Sequence, residues 1–155
     1  MEDISLHLLD VAENALVAGA DHIAIRIFEQ RKEDVMIIEI EDNGCGMDEQ
    51  TTKQALDPFY STKPAKRVGL GLPLLAQAAK EAGGDIEIQT APGKGTTVRT
   101  MFRLSHPDLK PLGDVLETMA TLACAHPQVC FVFEHWQDGL AICQWNSNKL
   151  TDQRG

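Results

Sequence analysis

The stretch Glu41-Asp42-Asn43-Gly44-Cys45-Gly46-Met47 places an acidic residue at the end of an apolar segment, with two glycines shortly after it. Residues 35–42 follow a polar turn and are predicted to form the second strand of a hairpin, in which every second side chain points to the same face. Asp42 falls on the side expected to face the core, together with Met36, Ile38 and Ile40. A carboxylate in that position needs hydrogen-bond donors, because burying it without them is costly.

The glycines of this stretch suggest what the donor is. Gly44 and Gly46 lack the Cβ atoms that would keep a flat ring away from the backbone, and the amino group of adenine is a donor that suits Asp42. The pattern therefore predicts an adenine site. The alternative is a glycine-rich turn that does no more than end a hairpin.

A second pair of glycines, Gly69 and Gly71, lies at the start of a helix predicted over residues 70–82. Glycines at a helix N-terminus expose backbone N–H groups and the positive end of the helix dipole, which together bind phosphate. The preceding residues 57–68 are predicted to form a loop, and they contain three cations: Lys63, Lys66 and Arg67. The alternative is a solvated loop with two flexible glycines.

The helix predicted over residues 4–18 is apolar except for a polar stripe. Asp10 and Asn14 lie four residues apart, with His7 three residues before Asp10. An Asn oxygen can bind Mg²⁺, which takes its negative ligands from phosphates, and Asp10 could orient a nucleophile. The alternative is a solvent-facing edge of an amphipathic helix.

The remaining pattern predicts three further strands and a C-terminal extension. Strands are predicted over 22–30, 85–90 and 96–104, a short helix over 48–56, a helix over 112–125, and a hairpin over 129–135 and 140–145. The fold class is α+β: a two-layer sandwich of a mixed, mainly antiparallel sheet with helices on one face. His106, Pro107 and Pro111 mark a boundary that divides the chain into residues 1–105 and 106–155.

The order of these motifs resembles the N, G1, F, G2 and G3 boxes of the GHKL superfamily, which has the Bergerat ATP-binding fold. The matching stretches lie at residues 10–15, 42–47, 57–63, 68–72 and 93–97. The segment Pro58-Phe59-Tyr60-Ser61-Thr62-Lys63 is most similar to the ATP-binding domain of sensor histidine kinases. Residues 14–20 are more similar to mismatch-repair ATPases.

The resemblance implies a role for each of these positions. Asn14 would hold Mg²⁺, and Asp42 would bind the adenine amino group of ATP. The adenine pocket would be lined by Gly44, Gly46, Met47 and Thr96. Lys63 and the backbone of Gly69, Leu70, Gly71 and Leu72 would hold the phosphates under a lid. Asp10 stands where hydrolysing members carry Glu, and Arg67 stands where histidine kinases have the first glycine of the G2 box.

The function implied is transfer of the γ-phosphoryl group of Mg-ATP to a separate protein partner. No phosphoacceptor helical hairpin precedes the first helix of this sequence, so the acceptor is expected on another protein. The alternatives are a slow ATPase or nucleotide sensor, a serine kinase of the anti-sigma-factor type, and a nucleotide-binding subunit of a larger complex.

Composition narrows the class of protein and its partners. An apolar content of 43%, a charged content of 24% and the absence of a long apolar run predict a globular protein with no membrane span. The net charge of −9 argues against nucleic acid as a partner. The acidic start and the widely spaced cysteines indicate a cytoplasmic location with free thiols.

The apolar C-terminal segment must bury a face, because an isolated hairpin is marginally stable in water. We expect either that the hairpin covers a sheet edge or that it forms an independent subdomain for partner docking. The edge would be that of this chain or of a second copy, and the latter would make a homodimer.

Overall fold

The computed structural model describes residues 3–55 and 71–147 of the chain. The helices in these ranges are α1 (Ile4–Val17), α2 (Glu49–Ala55), α3 (Gly71–Glu81) and α4 (Val115–Ala125). The strands are β1 (His22–Gln30), β2 (Val35–Asp42), β3 (Asp85–Thr90), β4 (Thr96–Arg103), β5 (Cys130–Gln137) and β6 (Leu140–Asn146). Among these described residues, no helix is long and apolar enough to cross a membrane.

All six strands form one sheet in the order β3-β4-β2-β1-β5-β6. Four of the five strand pairs are antiparallel, and β1 and β5 form the parallel pair. The C-terminal hairpin therefore continues the sheet that the first four strands build, and β5 covers the edge of β1. The predicted division of the chain at residues 105 and 106 remains a prediction.

Three helices and one face of the sheet enclose the core. Alternate residues of β1 and β2 are buried because every second side chain points to the same face, as with Ile23, Ile25, Ile27, Ile38 and Ile40. Buried residues of α1, α3 and α4 join them in one cluster, among them Leu8, Leu75 and Met119. The predicted α+β sandwich, with helices on one face of a mainly antiparallel sheet, is confirmed.

Helix α4 begins three residues later than its apolar pattern predicts. Gly113 has a positive φ of 79°, and the Asp114 side chain caps the helix by accepting from Glu117 N–H at 2.9 Å. Leu112 is used elsewhere, since its carbonyl oxygen accepts from Ser5 N–H at 2.9 Å. The predicted helix start at residue 112 was therefore wrong, because the Asp114 cap and the contact of Leu112 with α1 determine where the helix begins, and the local apolar pattern does not.

Candidate functional site

Asp42 is the last residue of β2 and lies on its core face, as the period of two predicts. It pairs with Ile23 of β1 and with Thr96 of β4. Its Oδ1 atom accepts a hydrogen bond from Gly44 N–H at 2.8 Å. Burial raises the pKa of Asp42 above its ordinary value, the Gly44 bond opposes this, and the charge of Glu41 adds to it.

The loop after Asp42 packs against the turn between β3 and β4, backbone against backbone. Gly93 N–H donates to the Cys45 carbonyl at 2.6 Å. A Cβ atom on Gly46 would lie 2.0 Å from the Ala91 carbonyl oxygen, and one on Gly95 would lie 2.3 Å from that of Asp42. Both glycines are therefore required by this close approach of two backbones. This reason differs from the one predicted from the sequence, which was that Gly46 lets a flat ring approach the backbone.

Helix α1 provides a second wall, and the same loop is tied to its end. Cys45 N–H donates to the Ala18 carbonyl at 2.9 Å, and a Cβ atom on Gly44 would lie 3.0 Å from Ala18 Cβ. Asn14 lies one turn before Ala18. The loop is also fastened to the start of β1, because Asn43 Oδ1 accepts from the backbone N–H groups of residues 21 and 22.

Helix α3 provides a third wall and starts at Gly71, the second glycine of the predicted phosphate motif. Its first turn carries Leu72, which is 5% exposed and packs in the core. The first N–H groups of a helix have no partner within the helix, so they can donate to an anion at this end. The predicted phosphate-binding residues Lys63, Gly69 and Leu70 lie outside the described residues, as does the predicted loop over 57–68.

These walls enclose a cavity of about 370 Å³. Six residues predicted to bind nucleotide or metal meet there or at its rim: Asn14, Asp42, Gly46, Met47, Leu72 and Thr96. Gly44 lies behind the loop against Ala18. Asp10 is half-buried on α1, one turn before Asn14, and is not among the lining residues.

Sequence reasoning missed most of the apolar wall. The cavity is also lined by Val11, Ala15, Val17, Ala18, Ile40, Cys45, Thr51 and Val98. A signal existed for part of this set, since Val11, Ala15 and Ala18 share the face of α1 that carries Asn14. By apolar pattern alone, however, these residues cannot be told from core residues.

A second hollow, of about 680 Å³, lies at the opposite end of the β1–β2 hairpin. It is lined by two hairpin turns, residues 30–33 and residues 138 and 139. Arg31 and Asp138 form an exposed ion pair across it at 2.6 Å. Such exposed pairs contribute little to stability, and none of the predicted site residues that the structure describes lines this hollow.

An apolar cavity that is lined by one carboxylate and by the first turn of a helix, in an α+β domain, has the features of a nucleotide-binding site. Comparison with known proteins gives the family. The pattern of the family described as "Histidine kinase-, DNA gyrase B-, and HSP90-like ATPase" matches residues 2–106. The chain belongs to this family.

Two relatives named as kinases are similar to this chain in sequence. The signal transduction histidine-protein kinase AtoS of Escherichia coli is 41% identical over 91 residues, which cover 58% of this chain and 15% of that kinase. Sporulation kinase C of Bacillus subtilis is 31% identical over 96 residues, which cover 62% of this chain and 22% of that kinase. The chain thus spans less than a quarter of the length of either relative.

Two solved structures share the fold at low identity. The ATPase domain of Aquifex aeolicus MutL complexed with ADP superposes with a TM-score of 0.56 at 17% identity, covering 99% of this chain and 67% of that one. The N-terminal domain of a DNA repair protein superposes with a TM-score of 0.63 at 14% identity, covering 94% and 53%. Coverage of 99% means that the C-terminal helix and hairpin also fall within the superposed region.

Proposed function

We propose that this chain binds Mg-ATP in the cavity beside Asp42 and transfers the γ-phosphoryl group to a separate protein. The observation that carries the proposal is the half-buried Asp42 carboxylate at the base of an apolar cavity, in a chain of the histidine kinase-like ATPase family. The relatives named as kinases support the transfer step.

The cavity suits an adenine ring because it offers one acceptor and apolar walls. Val11, Ile40, Met47 and Val98 would contact the faces and edges of the ring. Asp42 would accept from its exocyclic amino group, which compensates the cost of holding a carboxylate away from water. Guanine has a carbonyl oxygen at that position, so GTP would bring two acceptors together and bind more weakly.

Asn14 is suited to hold Mg²⁺ against the phosphates. Its side chain lines the same cavity as Asp42, from the α1 side. Mg²⁺ commonly takes one or two protein oxygens and completes its shell with phosphate oxygens and water. When bound, it would neutralise charge that develops on the phosphates. The N-terminus of α3 and the Lys63 side chain would balance the remaining negative charge of the phosphates.

Catalysis of phosphoryl transfer depends mainly on positioning the reactants and on stabilising the charge of the phosphates. The helices and strands that position ATP are therefore more important for this reaction than a nucleophile of this chain. His7 is 2% exposed, which keeps it from serving as an accessible phosphoacceptor in this conformation. We therefore do not assign the acceptor to His7 and place it on a separate protein. Asp10, one turn from Asn14, would orient the incoming nucleophile.

The second candidate is a slow ATPase or nucleotide sensor. The shared fold with the MutL ATPase domain and the presence of Asp10, rather than a longer Glu, favour it. A serine kinase of the anti-sigma-factor type is a third outcome of the same experiment.

Incubation of the purified chain with γ-labelled ATP and Mg²⁺ separates these functions. It is run alone and with candidate partners encoded beside its gene. Label on a partner supports the kinase, and its loss in acid distinguishes a phosphoramidate of His from an ester of Ser. Free phosphate alone supports an ATPase, and bound ATP without either product supports a sensor. The Asp42→Asn variant is the control, and activity that survives in it would contradict the site.

A further inference from the structure

Thr90 joins three segments of the cavity wall through one hydroxyl group. It is the last residue of β3 and pairs with Thr96, the first residue of β4. Its Oγ1 atom accepts from Met47 N–H at 3.0 Å and donates to the Gly95 carbonyl at 2.9 Å. The Thr90 and Thr96 hydroxyl oxygens are 2.9 Å apart.

The number of protons on a hydroxyl group decides the direction of the third bond. A Thr hydroxyl has one hydrogen to donate and two lone pairs that accept. Thr90 gives its hydrogen to Gly95 and accepts from Met47, so its remaining lone pair must accept from Thr96. The hydrogen of the Thr96 hydroxyl therefore points to Thr90 and away from the cavity.

This direction fixes what Thr96 offers to a ligand. Thr96 lines the cavity, and it is the residue of β4 that pairs with Asp42 of β2. With its hydrogen engaged by Thr90, the Thr96 hydroxyl presents only lone pairs to the cavity. Asp42 and Thr96 then form a pair of acceptors at the same place, which favours a ligand with a donor there and disfavours one with a carbonyl oxygen.

We infer that Thr90 is a positioning residue for base selection: by holding the Thr96 hydroxyl as an acceptor, it makes the cavity prefer adenine to guanine. The inference rests on the proposed binding of ATP in this cavity. Thr90 itself touches no ligand in this scheme, since it does not line the cavity. Without its hydroxyl, Thr96 can turn and donate to the guanine carbonyl.

The test is the ratio of ATP to GTP affinity in Thr90→Val and Thr90→Ser, measured by calorimetry with Mg²⁺. Thr90→Val keeps the shape and loses the hydroxyl, and we expect the ratio to fall about five- to tenfold, as for one lost hydrogen bond. Thr90→Ser keeps the hydroxyl and should retain the ratio. Thr90→Ala replaces the Val variant if that variant does not unfold cooperatively.

A purely structural role gives a different result. It would weaken ATP and GTP binding by the same factor in Thr90→Val and leave the ratio unchanged, which would overturn the inference. If the wild-type protein prefers ATP and the ratio is unchanged in the Thr90→Val variant, only the role of Thr90 is refuted, and the proposed binding of ATP stands. Wild-type protein that binds neither nucleotide refutes the proposed function, and this inference with it.

Discussion

Gly46 and Ala91 approach so closely that a Cβ atom on Gly46 would lie 2.0 Å from the Ala91 carbonyl oxygen. Both sides of this contact are backbone, so neither can move away as a flexible side chain would. The contact joins the loop after β2 to the turn between β3 and β4, and it thereby sets the width of one cavity wall.

Gly46→Ala should lower the free energy of unfolding by at least about 2 kcal/mol, because it adds a steric clash to an unfavourable positive φ. Urea unfolding measures the loss. Gly93→Ala is the matched control: Gly93 lies in the β3–β4 turn with a similar φ of 77°, but nothing lies within 4 Å of its Cβ position. Equal losses in the two variants would show that backbone conformation alone, and not the contact, explains the effect.

Asp42→Asn should weaken ATP binding by roughly 1 to 3 kcal/mol, since it replaces one acceptor for the adenine amino group and brings a donor beside it. Isothermal calorimetry gives the affinities. Glu41→Gln removes the same charge one residue away, on the opposite face of β2, where Glu41 pairs with Arg26 at 3.0 Å. That control should bind ATP normally. Unchanged affinity in Asp42→Asn would refute the adenine assignment.

The raised pKa of Asp42 predicts a pH dependence of stability. Burial disfavours the charged carboxylate in the folded state, so its contribution is intact below the unfolded value of 3.8 and is lost as pH rises through the folded pKa. Asp42→Asn lacks this titration. The stability of the variant relative to wild type should therefore increase with pH from 3.8 upward and then level off. Urea unfolding at a series of pH values checks this, and a difference independent of pH would contradict it.

Local pattern predicted the strands well because a series of alternate apolar side chains marks the core face of each strand. β1, β2 and β3 begin and end at the predicted residues, since alternate apolar side chains of these strands pack in or against the core and polar turns bound them. Asp42 fell on the core face for the same reason. The period of two predicts the direction in which each side chain points, and this was sufficient to place Asp42 in the site.

Contacts between distant segments carry no such local signal. Nothing in residues 130–137 indicates that they lie parallel to β1, because strand partners are chosen by tertiary packing. Thr90 resembles any β-branched residue at a strand end, and its three hydrogen bonds emerge only when Met47 and Gly95 are brought beside it. The reason for Gly46 was likewise a neighbour 45 residues away.

Asn14→Ala should weaken ATP binding when Mg²⁺ is present and have little effect when it is chelated. The expected difference arises because the Asn14 oxygen would act on the nucleotide through the metal. Asn14→Asp keeps an oxygen at the same reach and should preserve the dependence on Mg²⁺. Titration of ATP with Mg²⁺ and with chelator gives the comparison. If addition of chelator weakens binding equally in the Ala variant and in wild type, Asn14 is not a ligand of the metal.

Deletion of residues 106–155 should abolish cooperative folding, although the family pattern ends at residue 106 and every proposed ATP contact precedes it. β5 pairs with β1 over eight positions, so its removal turns an interior strand into an exposed edge. The N-terminus of α1 would also lose two acceptors, since Ile4 N–H donates to the Pro111 carbonyl at 2.8 Å and Ser5 N–H to that of Leu112.

The buried side chains lost with this segment make the same point in energetic terms. Phe131 and Met119 are fully buried, and Val115, Leu122 and Phe133 are nearly so. Each contributes about 1.5 to 3 kcal/mol, and together they match the total stability of about 5 to 15 kcal/mol of a typical domain. Chain 1–105 should therefore fail to give a cooperative unfolding transition by circular dichroism. Chain 1–147, which keeps every contact named here, should unfold as wild type does. A chain 1–105 that folds and binds ATP normally would instead identify residues 106–155 as a separate module for docking a partner.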